Sequence, residues 1–177
     1  MDKLIKRRTA IRHLLIIAGG AMVLPACYRN SGKASIQLQN LTISEDDENL
    51  LAALTETLIP ETTTPGAKSL KLHLFVLKMV DDCYTTENQK LYMEGLAGFN
   101  DFFKKQSGTS FADATPAKRE EVLKVIQEGK KKDDPVKKFY DITKSKTIQG
   151  YLNSKYVMTN IVKYELVPGR YNGYFPA

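Results

Sequence analysis

The sequence predicts an all-α fold: an irregular bundle of about five helices followed by an extended C-terminal tail rich in aromatic residues, proline and glycine. Apolar residues recur three and four positions apart along most of the chain, which is helical spacing, whereas alternating strand patterns are few. With 42% hydrophobic and 26% charged residues, the composition is that of a folded globular domain.

The first two predicted helices flank a loop at residues 60–67. Ser44 is the expected N-cap of the first helix, because its hydroxyl can accept a bond from a free backbone N–H group, and Pro60 ends that helix. The loop that follows contains two prolines and a glycine. The second helix, at about residues 70–80, is apolar over much of its girth, so we expect it at the centre of the domain.

Three further helices are predicted, at about residues 86–105, from 116 onward, and from 135 to about 150. In the last two, the cap Thr115 or Asp134 precedes a proline at the first helical position. Val125 is expected to face inward. Gly95 and Gly98 weaken their helix, which indicates close packing against a neighbour at these positions.

Residues 1–26 are predicted to be an export signal and not part of the fold. Residues 6–12 resemble the twin-arginine export motif, with the arginine pair at Arg7 and Arg8, and a short apolar stretch follows. The sequence that ends at Cys27 then resembles a bacterial lipobox. It predicts cleavage before Cys27 and a lipid on that residue.

This signal predicts where the protein works. The twin-arginine route exports proteins that fold in the cytoplasm, and it is typical of proteins that carry a cofactor or travel with a partner that does. We expect the mature chain on the periplasmic side of a bacterial membrane, with residues 27–43 as a polar tether and 44–177 as the helical domain. The alternative is an uncleaved membrane-anchor helix, although the apolar stretch is shorter than the about 20 residues that span a bilayer.

The net charge of +6 does not indicate a nucleic-acid-binding protein. Five of the 26 basic residues and one of the 20 acidic residues lie in residues 1–26, so the charge of the remaining chain is nearly balanced. Nucleic-acid-binding domains concentrate basic residues on one face. No nucleic-acid partner is therefore expected.

Two residues that could carry chemistry have simpler explanations. If Cys27 carries a lipid, Cys83 is the one remaining cysteine, so no internal disulfide is expected in the mature chain. The apolar neighbours of Cys83 predict a buried thiol. His73 is the only histidine after residues 1–26. No second histidine or cysteine stands at the spacing that a metal site needs.

Motifs for catalysis or cofactor binding are absent from the sequence. The chain lacks the Cys-x-x-Cys-His motif of covalent haem, the glycine loops that bind phosphate and the Gly-x-Ser-x-Gly motif of a hydrolase nucleophile. We therefore expect no catalytic, metal-binding or cofactor-binding residue in this chain. Its unusual features are the loop 60–67 and the tail 164–177, whose prolines, glycines and tyrosines are typical of recognition surfaces. The alternative for the tail is that its tyrosines cover the protein's own core.

These two segments carry a resemblance to a known family. The chain is similar, from about residue 50 to its end, to the small subunit of membrane-bound gluconate 2-dehydrogenase, the subunit 3 family. The similar stretches are residues 58–60, 64–68 and 96–99, Phe111, and residues 164–173. The Pro-Gly-Ala element of the loop and the Tyr-Glu and Pro-Gly pairs of the tail occur in the order and spacing of that family.

The resemblance implies a role. In that family a large flavoprotein subunit of the glucose-methanol-choline type holds FAD and oxidises a sugar or polyol, and a cytochrome c subunit often takes the electrons. The small subunit binds the flavoprotein, and its signal exports the folded pair. For this chain the resemblance implies a non-catalytic accessory subunit without a cofactor of its own, tethered to the membrane through Cys27.

Partner binding is assigned to residues of both segments: Pro60, Pro65, Gly66, Tyr164, Glu165, Pro168, Gly169 and Tyr171. Two other functions are compatible with the sequence. One is a stand-alone periplasmic lipoprotein that binds a small ligand in its helical bundle, which would require an apolar pocket with a few polar groups. The other is a small independent enzyme.

Overall fold

The structure is a computed structural model that describes residues 34–129, 134–162, 164, 165, 167, 169 and 174. In these residues it contains five α-helices and one short π-helical turn: α1 Glu45–Leu58, α2 Leu72–Cys83, α3 Thr86–Ser107, α4 Pro116–Glu128, α5 Pro135–Leu152 and the π-helical turn Val157–Ile161. The described part of the chain has no strand, and the predicted all-α fold is confirmed.

Side-chain caps begin four of the five α-helices. The Ser44 hydroxyl accepts a bond from the backbone N–H of Asp47, whose carboxylate accepts from Ser44 in return, so the two residues form a capping box. The predicted caps Thr115 and Asp134 also accept backbone N–H bonds, each with proline in the first helical turn. Helix α3 ends at Gly108, whose φ of 77° is left-handed and favours glycine.

Helix α5, and not α2, has the central position in the bundle. It contacts all four other helices and packs most extensively against α3, whereas α2 packs chiefly against α5 and α1. The apolar residues of α2 are buried as expected, among them Val76, Leu77 and Val80. The expectation that α2 is central is wrong because apolar content determines how much of a helix is buried, and not how many neighbours surround it.

Close packing between α3 and α5 depends on Gly95. A Cβ atom at this position would lie 2.1 Å from the carbonyl oxygen of Pro135 and 2.5 Å from the Cβ of Phe139. A side chain here would therefore force the two helices apart. At Gly98 the nearest atom to such a Cβ is the Cγ2 of Val136, at 3.6 Å, which is an ordinary contact. The predicted close approach is confirmed at Gly95 and does not occur at Gly98.

Aromatic rings fill the core between α3, α5 and the segment before α4. Five of them are fully buried: Tyr92, Phe99, Phe103, Phe111 and Phe139. Their neighbouring ring centroids are 5.0 to 6.3 Å apart in tilted or edge-on arrangements, which the charge distribution of aromatic rings favours. The Tyr92 hydroxyl shares a 3.3 Å hydrogen bond with the hydroxyl of Thr143, so the buried polar atom is satisfied.

Residues 34–43, assigned to the polar tether by the sequence, pack against the bundle, and we call them the N-terminal arm. The Asp81 carboxylate of α2 accepts backbone N–H bonds from Gln39 and the next two residues, at 2.8, 2.7 and 3.0 Å. Leu41 and Ile43 are each only 9% exposed and belong to the hydrophobic core. The packed part of the chain therefore extends further toward the N-terminus than residue 44.

Residues 151–177, which the sequence predicted to be an irregular tail after the last helix, are helical in part. The π-helical turn follows α5 closely and packs against it, with Val157 buried. After the turn, the backbone N–H of Tyr164 donates to the carbonyl oxygen of Met158 at 2.8 Å. Among the described residues, no helix is both long enough and apolar enough to cross a membrane.

Candidate partner-binding surface

The loop at residues 60–67 is fixed to the end of α1, and we call it the recognition loop. Glu56, in the last turn of α1, accepts the backbone N–H of Glu61 at 2.9 Å and that of Lys68 at 2.7 Å. One carboxylate therefore bonds to both ends of the loop. A backbone bond of 2.9 Å from the N–H of Ala67 to the carbonyl oxygen of Ile59 closes the loop at its base.

The three loop residues predicted to bind a partner have different surroundings. Pro60 is exposed, Pro65 is half-buried and Gly66 is buried. A Cβ atom at Gly66 would lie 2.5 Å from the backbone nitrogen of Glu61. Gly66 is therefore required by the shape of the loop itself, while Pro60 and the residues after it remain accessible to another molecule.

Exposed apolar side chains concentrate near the C-terminus. Eight large hydrophobic residues are exposed in the described part of the chain, and seven of them lie between residues 148 and 174. We call these seven the C-terminal apolar set: Ile148, Leu152, Ile161, Val162, Tyr164, Val167 and Tyr174. The eighth is Val125 of α4, which is 46% exposed, so the prediction that it faces inward is wrong. Such a concentration of exposed apolar residues is typical of an interaction site.

One side-chain contact joins the recognition loop to this part of the chain. The Tyr151 hydroxyl donates to Oγ1 of Thr64 at 3.4 Å, across 87 positions of sequence. Tyr151 lies between Ile148 and Leu152, which are four residues apart and share a face of α5. These two side chains are 43% and 55% exposed. The recognition loop therefore lies beside the end of α5 where the C-terminal apolar set begins.

The described tail residues point away from the core. Tyr164 is 56% exposed, and Glu165 and Gly169 are also exposed. This exposure does not fit the alternative in which Tyr164 covers the protein's own core. The other assigned residues lie outside the described part of the chain: Arg7, Arg8, Cys27, Pro168 and Tyr171. Partner binding by the eight residues of the two segments stays a prediction.

His73 is a buried histidine near one carboxylate. Its Nε2 lies 3.8 Å from the Glu48 carboxylate, which also accepts the N–H and the hydroxyl of Ser35 at 2.6 Å each. Burial lowers the pKa of His73, and the positive charges of Lys68 and Lys71 add to this effect against the opposing charge of Glu48. The net shift is downward, so the neutral form predominates at pH 7.

Cys83 is exposed and not buried as its sequence neighbours indicated. It is the last residue of α2, and Tyr84 after it has extended backbone angles, with φ −103° and ψ 148°. The buried face of the helix, which includes Val76 and Val80, therefore stops before its last residue. The sequence predicted a buried thiol because the residues before Cys83 are apolar. Several of those residues are buried, but Cys83 at the end of the helix is not.

The described surface has two notable grooves. The larger, of about 440 Å³, lies between α1 and α3 and is lined partly by Asp46, Asp47 and Asp101. The smaller, of about 270 Å³, is lined by apolar residues such as Phe102 and Ile126 together with the polar residues Gln106, Asp134 and Lys137. No histidine or cysteine lines either groove. Among the described residues, no three His, Cys, Asp or Glu side chains are placed to hold a metal ion.

Comparison with known proteins identifies the family. The family model described as gluconate 2-dehydrogenase subunit 3 matches residues 45–169. The match begins at the first residue of α1 and includes the recognition loop and most of the C-terminal apolar set. Comparisons with curated proteins and with solved structures gave no match. Since the model matches well over half of the chain, this protein belongs to the gluconate 2-dehydrogenase subunit 3 family.

Proposed function

We propose that this chain is the non-catalytic small subunit of a periplasmic dehydrogenase complex. It binds a large FAD-containing subunit of the glucose-methanol-choline type, helps that subunit mature and exports it through its own twin-arginine signal at Arg7 and Arg8. The family is that of a subunit of a gluconate 2-dehydrogenase complex, which supports an accessory role. FAD is held by the partner, whose substrate is a sugar or polyol, and a cytochrome c subunit accepts the electrons.

The observation that carries this proposal is the C-terminal apolar set, which begins at the end of α5 beside the recognition loop. Leu152 and Val162 are each 55% exposed, although the transfer of an aliphatic side chain out of water is favourable in free energy. A partner that covers them would bury this area. The proline-containing recognition loop, which Tyr151 joins to the end of α5, supplies a polar edge, and interfaces commonly combine an apolar centre with a polar rim.

The structure gives less support to a ligand site inside the bundle. The interior between α3 and α5 is filled by packed aromatic rings, including Phe99 and Phe139, whose centroids are 5.4 Å apart. A ligand in this position would have to displace rings that are fully buried. The accessory-subunit role uses the exposed residues instead and leaves the core intact.

A co-purification experiment tests the proposal. The full chain, tagged at its C-terminus, is extracted from its native membrane and captured, and the absorption spectrum of the captured material is recorded. We expect a large protein with flavin bands and sugar or polyol dehydrogenase activity. Capture of this chain alone and colourless would contradict the proposal and favour the ligand-binding lipoprotein. Dehydrogenase activity of the chain without any flavoprotein would favour the independent enzyme.

Matched surface variants test where the partner binds. Leu152→Glu places a charge in the C-terminal apolar set, whereas Val125→Glu places the same charge at the exposed apolar residue on α4, outside that set. We expect Leu152→Glu to reduce the captured flavoprotein by about tenfold or more, because a charge buried in an interface is costly, and Val125→Glu to leave the amount unchanged. Deletion of residues 164–177 should abolish capture without unfolding the bundle. Equal capture by all variants would show that the interface lies elsewhere.

A further inference from the structure

We propose that Glu56 is a positioning residue of the small subunit: its carboxylate holds the recognition loop in the conformation that binds the flavoprotein subunit. This inference rests on the proposed function and adds to it a residue in neither of the two predicted segments. Glu56 lies in the last turn of α1, ahead of Pro60. Its role is to shape the surface that the partner meets.

The two oxygens of the carboxylate bond to the two ends of the loop. One oxygen accepts the N–H of Glu61 at 2.9 Å, and the other accepts the N–H of Lys68 at 2.7 Å. Both donors are backbone groups, so the carboxylate fixes the path of the chain independently of the side chains at these positions. Hydrogen bonds to an ionised acceptor are shorter and stronger than those between neutral groups.

Gly66 makes room for this carboxylate. A Cβ atom at Gly66 would lie 2.7 Å from Oε1 and 2.9 Å from Oε2 of Glu56, and 2.5 Å from the backbone nitrogen of Glu61. The carboxylate therefore lies between the two ends of the loop only because residue 66 has no side chain. Glu56 and Gly66 together form a clamp, which we call the Glu56 clamp.

The clamp bonds only to backbone groups and leaves the side chains of the first half of the loop exposed. Residues 60–63 are exposed, whereas Gly66 and Ala67 are buried. The loop is further ordered by a bond from the N–H of Thr62 to the carbonyl oxygen of Thr64, at 3.1 Å. A loop that is already ordered loses less conformational entropy on binding than a flexible one, so the clamp increases affinity without touching the partner.

Replacement of Glu56 by glutamine tests this role with little change in shape. The amide keeps one acceptor oxygen but presents an NH₂ group to the second backbone donor, so one end of the loop is released. If about a tenth of the variant molecules then have an ordered loop, only that fraction is competent to bind. The apparent affinity for the flavoprotein subunit therefore falls about tenfold. The full chain is used, with the flavoprotein subunit that co-purifies with the wild type as the binding partner.

Two measurements are made on each variant: the dissociation constant for the flavoprotein, and the hydrogen exchange of the Glu61 and Lys68 amides. Glu56→Gln should weaken binding about tenfold and speed the exchange of the released amide most, while the amide that bonds to the remaining neutral oxygen exchanges faster by a smaller factor. Ser44→Ala is the stability control, since it removes the cap of the same helix and leaves the loop bonds in place. Glu121→Gln, at an exposed position of α4, is the charge control. Both controls should bind as the wild type does.

The outcomes separate this inference from the proposed function. A wild-type chain that captures no flavoprotein contradicts the proposed function, and the inference is overturned with it. A wild type that binds, together with a Glu56→Gln variant of equal affinity, overturns the inference alone. The same holds if the exchange of the two loop amides is unchanged in Glu56→Gln. Weakened binding by Ser44→Ala to the same extent would assign the effect to general stability and also overturn it.

Discussion

Replacement of Asp81 by asparagine should release the N-terminal arm from the bundle. Asp81 is 1% exposed, and its carboxylate accepts three backbone N–H bonds of 2.7 to 3.0 Å from residues 39–41. Asparagine has nearly the same shape, but it carries one acceptor oxygen and an NH₂ group. The oxygen can keep the bonds from Asn40 and Leu41, whereas the NH₂ group then faces the N–H of Gln39.

The expected loss of stability follows from these three bonds. A hydrogen bond to a charged group contributes about 1.5–3 kcal/mol and one between neutral groups about 0.5–1.5 kcal/mol, so the two retained bonds weaken by about 1 kcal/mol each. The third bond is lost, which costs about another 1 kcal/mol or more. A total of about 3 kcal/mol corresponds to a fall in Tm of about 9 °C for a chain of this size.

The same carboxylate predicts an acid-dependent component of stability. Burial by itself raises the pKa of Asp81, but the N–H groups of Gln39, Asn40 and Leu41 and the charge of Lys78 lower it by more, so its pKa lies below the ordinary value of 3.8. The folded state therefore binds fewer protons than the unfolded state. The stabilisation is complete above pH 3.8 and is lost as the pH falls through the lower pKa of the folded protein. Asp81→Asn removes this component.

The neighbouring residue provides the control. Asp82 is 43% exposed and pairs with Lys78 at 3.1 Å, and exposed ion pairs of this kind contribute about 0–1 kcal/mol. Thermal unfolding of Asp81→Asn and Asp82→Asn is followed by circular dichroism between neutral and acid pH, and the exchange of the arm amides is measured at neutral pH. If the two variants unfold at the same temperature, or if the arm amides remain protected in Asp81→Asn, the assignment of the arm to this carboxylate is refuted.

Three further predictions concern the bundle and the loop. Gly95→Ala should lower the free energy of unfolding by about 2 kcal/mol or more, because its Cβ would lie 2.1 Å from a backbone oxygen of α5. Gly98→Ala should raise the free energy of unfolding by up to about 1 kcal/mol, because its Cβ has room and alanine favours the helix. Denaturant unfolding of both variants checks these two values. Since the pKa of His73 is lowered in the folded state, stability should be full above pH 6.5 and fall below it, and His73→Gln should flatten that fall in acid titrations of Tm. Tyr151→Phe removes the hydroxyl that bonds to Thr64 and should speed hydrogen exchange in the loop without changing Tm by more than about 2 °C.

The helices could be predicted because the signals for them are local. Caps such as Ser44 and Asp134 and the apolar spacing act within a few residues, and both could be read directly. The N-terminal arm could not be predicted, since its polar sequence has no period and its main acceptor, Asp81, lies about 40 residues away. Asp81 and Asp82 are adjacent acids near the end of a predicted helix, and the sequence does not distinguish them. Only the tertiary packing shows that one acid of this pair is buried and the other is exposed.

The prolines and the glycine of the recognition loop predict it from the sequence, but they do not indicate that Glu56 orders it. Glu56 lies among ordinary helix residues, and the sequence predicts that an acidic side chain in such a position is exposed to solvent. A signal was present, because a carboxylate in the last turn of a helix is unfavourable next to the negative end of the helix dipole. An acid in this position directly before a proline-containing loop therefore indicates another partner for its charge, which the structure identifies as the N–H groups of Glu61 and Lys68.

Asp81 and Glu56 show the same use of a carboxylate at two places in the fold. Each lies on a helix, and each accepts backbone N–H groups from an irregular segment that has no helix or sheet of its own to satisfy them. Their oxygens are occupied by main-chain donors, so they are poorly placed to move protons to or from a substrate. These two acids order the arm and the loop. Their loss should therefore change stability and assembly, while the chemistry of an assembled complex stays the same.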